Sequence, residues 1–446
     1  MSWENGVPYK NQSEKYVLTK QDLKGAYERQ YCKLYEARVL ACKERILENA
    51  DEVLGKGKYH YTSITDLVPN KEAFIVGIIV KRLAQRPSIL KSLLSEDKMA
   101  LEDFDDENDV AGCLVGEKDY IELESEKQVI KIKGELGMND CATGCCVGLF
   151  GVLKENEFLA KTVVWPKAAP QPPLGTKRGG VVAFISGLDL TGNIDADMLT
   201  ISSFEFLGQW LKGELGAEEP QLPKSVDRLV ILGQSFDSKQ NNTVQSVVST
   251  LTLERHERPE VGKAMTAMDK LLASLTDKLY VDVASGAGDP CSTMWPQQPI
   301  HRVCLPRSAS TEKKVNLVTN PYEFDFGGVR ILATSGENVS DLMRMSLEWT
   351  SCDVLQQMLT WQHIAPTCPD TLDGFPMADR EPLVMSTTPH ILLAGNQQCA
   401  EHRWVETGSG VKVLTISIPK FSRSRMVCMV DVDSLQVNWQ MFEHEF

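Results

Sequence analysis

Hydrophobic and polar positions change their period several times along the chain. Leu23, Tyr27, Tyr31 and Leu34 recur at steps of four, four and three, which places them on one face of a helix. Thr19 with Asp22 three residues on resembles a capping box at its start. Gly55 and Gly57 are its natural stop, so the pattern predicts a helix over 19–54. Strand-like patterns follow. "AFIVGIIVKR" (73–82) is an apolar run of strand length, and "QVIKIKGEL" (128–136) sets Ile130 and Ile132 against Val129, Lys131 and Lys133. "CCVGLFGVL" (145–153) and "EFLAKTVVW" (157–165) flank a polar "KEN", the pattern of a hairpin. Short strands crowded in this way predict a small barrel or sandwich, with the OB-fold among the candidates. The stretch 95–120 between them is heavily acidic and reads as a solvated loop.

"KAAPQPPLGTKRGG" (167–180) breaks both helix and strand and reads as a linker. Beyond it, strand-like runs alternate with helix-length segments, as in a layered α/β domain. The runs are 181–186, 228–233, 278–284, 314–319, 329–334, 390–395 and 411–419. Helices are predicted over 195–215, 261–279 and 340–361, the last starting at Ser340. Alternation through 427–439 predicts a closing strand. "QVNWQMF" (436–442) loosely resembles a sliding-clamp-binding peptide, but this alternation makes the strand the better reading. The expected division is a helical segment over 1–57, a β domain over 58–166, the linker over 167–180 and an α/β domain over 181–446.

Composition narrows the function classes. Charged residues are 24% and hydrophobic residues 42%, a soluble balance. No run of about 18 apolar residues occurs. The polar N-terminus lacks a signal-peptide core, so an intracellular protein is expected. The net charge of −14 argues against a broad DNA-binding surface, and "SRSR" (422–425) is too short to make one. The twelve cysteines include no CxxC pair; even "CATGCC" (141–146) lacks a second pair at zinc-finger spacing, so reduced thiols are expected.

Candidate chemistry sits where strands end in Gly-bearing loops: 186–192, 233–238, 285–290, 334–341 and 395–402. Five such ends on one edge would form a site. Loops of this kind resemble those of calcineurin-like metallophosphoesterases. There, Asp-x-His, Gly-Asp, Gly-Asn-His-Asp, a single His and Gly-His-x-His hold two metal ions whose bridging water attacks phosphorus. This chain has Gly187-Leu188-Asp189, Gly233-Gln234, Gly286-Ala287-Gly288-Asp289, Thr334-Ser335 and Gly395-Asn396-Gln397-Gln398 instead. Only Asp189 and Asp289 retain a carboxylate, so no catalytic, metal or cofactor residues are expected. His301, His363 and His390 have no ligand-spaced His or Asp and read as structural; His402, in "AEHRW", is the remaining displaced-ligand candidate.

A β domain followed by such a domain resembles the B-subunit family of replicative DNA polymerases. "ERQYCKLYEARV" (28–39), "QRPSILK" (85–91), "PQQPIHR" (296–302), "GVRILATSGENVSDL" (328–342), "HIAPTCPDTLDGFP" (363–376) and "PHILLAGNQ" (389–397) carry the resemblance, which points to the delta class. It implies an OB-fold domain followed by an inactive phosphoesterase-like α/β domain in a nuclear, non-catalytic scaffold for replication and repair synthesis. The implied partners are the cysteine-rich C-terminal domain of the delta catalytic subunit and the N-terminal domain of a third subunit. The sliding clamp and DNA are reached only through them, and no membrane is involved. A metal-dependent phosphodiesterase or exonuclease with substitute ligands is the alternative, and a single-stranded DNA-binding module is a third class.

Overall fold

The structure, a computed structural model, describes residues 2–4, 7–86, 112–125, 128–175, 179–214, 226–237, 259–276, 278–309, 314–408 and 410–442. Residues 95–111 of the acidic stretch and 87–91 of "QRPSILK" lie outside these. The N-terminal segment is not purely helical. β1 (Ser2–Glu4) and β2 (Val7–Asn11) pair antiparallel, and β2 pairs with Tyr322–Phe326 far along the chain.

The helix predicted over 19–54 is interrupted. The Thr19–Asp22 capping box is present, but it starts only the four-residue α1 (Lys20–Leu23). Gly25, at φ 67°, turns the chain, and the long helix is α2 (Cys32–Ala50). Leu23 and Tyr31 are exposed; the inward face of α2 is Leu34, Arg38, Cys42, Ile46 and Ala50. Gly55 and Gly57, at φ 92° and 77°, end the helical run as expected.

Five strands form a closed barrel in the order β3–β4–β5–β7–β6. They are β3 (Glu72–Arg82), β4 (Tyr120–Glu124), β5 (Val129–Gly134), β6 (Cys146–Lys154) and β7 (Glu157–Val164). β6 and β7 make the expected hairpin, with Glu155 and Asn156 at φ 46° and 69°. β4 was not anticipated. It begins at the last residue of the acidic stretch and buries only Ile121 and Leu123.

The second part is a sandwich of two sheets. The six-stranded sheet contains β8 (Val181–Ile185), β9 (Arg228–Leu232), β10 (Tyr280–Ala284) and β11 (Val315–Val318), all parallel. The seven-stranded sheet contains β12 (Tyr322–Phe326), β13 (Val329–Thr334), β14 (Ile391–Gln397), β15 (Glu401–Glu406) and β16 (Lys412–Pro419), with β1 and β2 at one edge. Side chains such as Phe184, Leu232, Phe324, Ile331, Leu393 and Ile416 fill the space between the sheets. Helices α3 (Ile194–Lys212) and α4 (Pro259–Leu275) cover the outer face of the six-stranded sheet. α5 (Glu337–Met343) and α6 (Ser351–Trp361) cover the other outer face, in one apolar cluster with the barrel interior.

Two expectations need correction. The helix over 340–361 is two helices, and Ser340 lies inside α5. Thr350 caps α6 through a capping box with Asp353. The closing strand is also two: β17 (Met426–Asp431) and β18 (Gln436–Met441) form a hairpin, with Leu435 in the left-handed region at φ 57°. Phe442 is buried against Phe206 and Trp210. The described part of 167–180 has neither helix nor strand, yet it is tied down. Gln362 and Thr388 hydrogen-bond Ala169, and the Gly175 N–H donates to Gly328 O.

Arg38 joins barrel and sandwich. Its guanidinium is fully buried, with Nε and Nη2 at 3.0 and 2.9 Å from Glu381 Oε2. Nη1 donates to Gly144 O on the barrel at 3.2 Å and to Pro366 O at 2.8 Å, and Nη2 donates to Cys368 O. Burial alone would raise the Glu381 carboxyl, but the Arg38 charge outweighs it and holds the group at about 2. Gly144 makes the approach possible: at φ 91°, a Cβ there would stand 1.8 Å from Pro366 O.

Candidate functional site

The five loops converge at the carboxyl ends of their strands and bind one another through hydrogen bonds. Gly187 N–H donates to Gly233 O at 3.1 Å, and Asp189 N–H donates to Gln234 O at 3.1 Å. Asn396 N–H donates to Ser186 Oγ at 2.8 Å. Asn396 Nδ2 donates to Leu232 O at 3.0 Å and Ser335 O at 2.8 Å, linking three loops. Asp189, Gln234 and Asn396 all adopt positive φ, at 47°, 52° and 57°. The backbone keeps the sharp turns of a strand-end site.

Side chains from several loops fill that frame. Asp189 faces Lys420, whose Nζ lies 3.2 Å from both carboxylate oxygens, and accepts a hydrogen bond from Ser422 Oγ at 2.7 Å. Asp289 is buried; its Oδ1 accepts from Ser235 N–H at 2.8 Å and Phe236 N–H at 3.2 Å. Its Oδ2 is buried without a partner, and burial pushes the carboxyl up to about 7. Gln397 Nε2 donates to Gly395 O at 2.7 Å and Gly336 O at 3.2 Å, while its Oε1 accepts from Ser351 Oγ at 2.9 Å. Gln398 is exposed.

Glu337, which no motif in the sequence marks, also belongs to the site. Its Oε2 accepts from Trp295 Nε1 at 2.9 Å and its Oε1 from Ser335 Oγ at 3.1 Å. Burial raises this carboxyl too, and its charge raises Asp289 in turn. Asn320 completes the support, accepting from Ser335 N–H at 3.0 Å and donating to Gln297 at 2.8 Å. Ser335 lies between strand and helix as the fourth loop demands, but none of these partners follows a metal-ligand spacing.

Of the candidate histidines, His301, His363 and His390 lie outside these loops, and His402 ends the fifth. His363 is buried beside Glu381, at 3.8 Å; burial first, then the Arg38 charge, lowers it to about 4. His390 accepts from Arg330 N–H through Nδ1 at 2.8 Å, and its Nε2 lies 2.9 Å from Pro172 O. His301 caps a short turn by accepting from Val303 N–H. His402 is exposed on β15, 3.4 Å from Trp439 Nε1. Among the described residues, no three His, Cys, Asp or Glu side chains gather as a metal site would require. Amide oxygens, one ion-paired aspartate and one aspartate titrating near neutrality fit a pair of divalent ions poorly. Among the described residues, no helix is long and apolar enough to cross a membrane.

Comparison with known proteins agrees with this architecture. Residues 30–163 match the family described as DNA polymerase delta subunit OB-fold domain. Residues 182–403 match the family of the B subunits of DNA polymerases alpha and epsilon. A probable DNA polymerase delta small subunit of Caenorhabditis elegans is 48% identical, over 100% of this chain and 99% of its own length. DNA polymerase delta subunit 2 of Drosophila melanogaster is 29% identical, over 96% and 95% of the two chains. The delta small subunit of Saccharomyces cerevisiae is 27% identical, over 92% and 88%. With the OB-fold match over the barrel, the B-subunit match after it and a relative this similar from end to end, the chain belongs to the family of DNA polymerase delta small subunits.

Proposed function

We propose that the chain is a non-catalytic accessory subunit of DNA polymerase delta, acting in the nucleus in replication and repair synthesis. The barrel and sandwich serve as a platform for two partners: the cysteine-rich C-terminal domain of the catalytic subunit and the N-terminal domain of a third subunit. The sliding clamp and DNA are reached through those partners. End-to-end similarity to delta small subunits supports the placement in the complex. One observation above the others supports the non-catalytic reading. Lys420 ion-pairs with Asp189, and carboxamides occupy the second and fifth loops, where catalysis by two metal ions would need carboxylates and imidazoles.

The purified chain is expected to leave single- and double-stranded DNA and a chromogenic phosphodiester intact in Mn²⁺ or Mg²⁺. Q234D is expected to remain inactive as well, since one carboxylate does not replace the missing imidazoles. Metal-dependent turnover that disappears in D289A would overturn this reading in favour of a phosphodiesterase with substitute ligands.

A further inference from the structure

We propose that the Lys420 ammonium is the resident cation of the loop cluster, built into the chain so that the loops close around Asp189 without a bound ion. The proposal rests on the non-catalytic reading and extends it to a mechanism of closure.

The backbone delivers the lysine to this place. Lys420 follows the last residue of β16 and forms a bridge with Ser186. Phe421 N–H donates to Ser186 O at 2.6 Å and Ser422 N–H to Gly187 O at 2.9 Å, so residues 420–422 run along the first loop. The ammonium then lies 3.2 Å from each Asp189 oxygen, centred on the carboxylate as a bound cation would be. Ser422 Oγ supplies a further donor to Oδ2.

The lysine stem is also packed. Gly187 lies at φ 59°, and a Cβ there would stand 2.8 Å from Lys420 Cγ and 2.4 Å from Asn396 Oδ1. Stem and carboxamide therefore fill the crevice between the first and last loops. Asn396 Oδ1 is buried there without a partner. Asp189 itself sits in the left-handed region, which a non-glycine residue keeps only when its surroundings hold it. The other carboxyl shows the contrast. Asp289 is buried with two backbone donors on Oδ1 and an unpartnered Oδ2.

The test is a thermal-unfolding series on the full-length chain in EDTA. K420A is expected to lower Tm by about 1–2 °C. Ethylammonium chloride, which carries N–H donors, should recover at least half of that loss. Tetramethylammonium chloride at equal ionic strength should not, and neither salt should change the wild type. As a second arm, K420M and D189N are each expected to lower Tm, with the double variant no worse than either alone, because charge is then absent on both sides. Equal effects of the two salts on K420A, or additive losses in the double variant, would overturn the role of Lys420. The non-catalytic reading fails by a separate observation, namely metal-dependent turnover of DNA or of the chromogenic phosphodiester by the wild-type chain.

Discussion

Replacing Arg38 with methionine is expected to destabilise the folded chain by about 3–5 kcal/mol, read as a fall in the urea-unfolding midpoint. Methionine preserves much of the stem volume, so the loss isolates the charge and the donors. Glu381 would be left buried without its cation, and the Gly144, Pro366 and Cys368 carbonyls would each lose the Arg38 donor at the point where helix, barrel and sandwich meet. The pair also sets an acid limit. The folded-state value of Glu381, about 2, lies below its ordinary 4.5. Its contribution is therefore present above pH 4.5 and lost as pH falls through 2. The double variant R38M/E381L, which buries no charge, is expected to regain only the part of the loss due to the unpaired Glu381 charge, since the three carbonyls still lack their donor. If R38M unfolds at the wild-type midpoint, the guanidinium does not hold the two parts together.

Asp289→Asn is expected to change how stability depends on pH. Burial lifts the Asp289 carboxyl from 3.8 to about 7, so the folded state keeps a proton that the unfolded chain releases. The sign is opposite to that of Glu381. The stabilisation is complete below pH 3.8 and is lost as pH rises through 7. The amide does not titrate, so D289N lacks this decline. The loss of stability from pH 5 to pH 8 should be smaller in D289N than in the wild type by roughly 2–3 kcal/mol. Comparing the two slopes cancels the constant cost of the unpaired amide N–H at the Oδ2 position. Parallel slopes would mean that Asp289 titrates as an ordinary exposed carboxyl.

Local patterns were legible where one face is apolar and the neighbouring residues provide the stop. The β6–β7 hairpin and the Thr19–Asp22 box could be read directly. β12 could not: its sequence, "YEFDF", carries Glu323 and Asp325, whose charges are met by Lys15 and Arg330. Only the fold brings those partners in. The break between α5 and α6 did have a local signal, Thr350 with Asp353, which the continuous apolar spacing concealed. In the site, the glycine-bearing turns were visible in the sequence. The groups that occupy them were not, because the pairs are remote: Lys420 lies 231 positions from Asp189, and Arg38 lies 343 from Glu381. No periodicity links residues so far apart, so these pairs appear only once the sheets are assembled.

We propose that this chain works as a platform within a polymerase. The most direct test is co-expression of the full-length chain with the cysteine-rich C-terminal domain of the delta catalytic subunit, then with the N-terminal domain of the third subunit, followed by size-exclusion chromatography with light scattering. The expected result is a one-to-one complex with the first, to which the second adds without displacing it. A chain that elutes as a lone, stable monomer, with neither domain bound at micromolar concentration, would contradict the account.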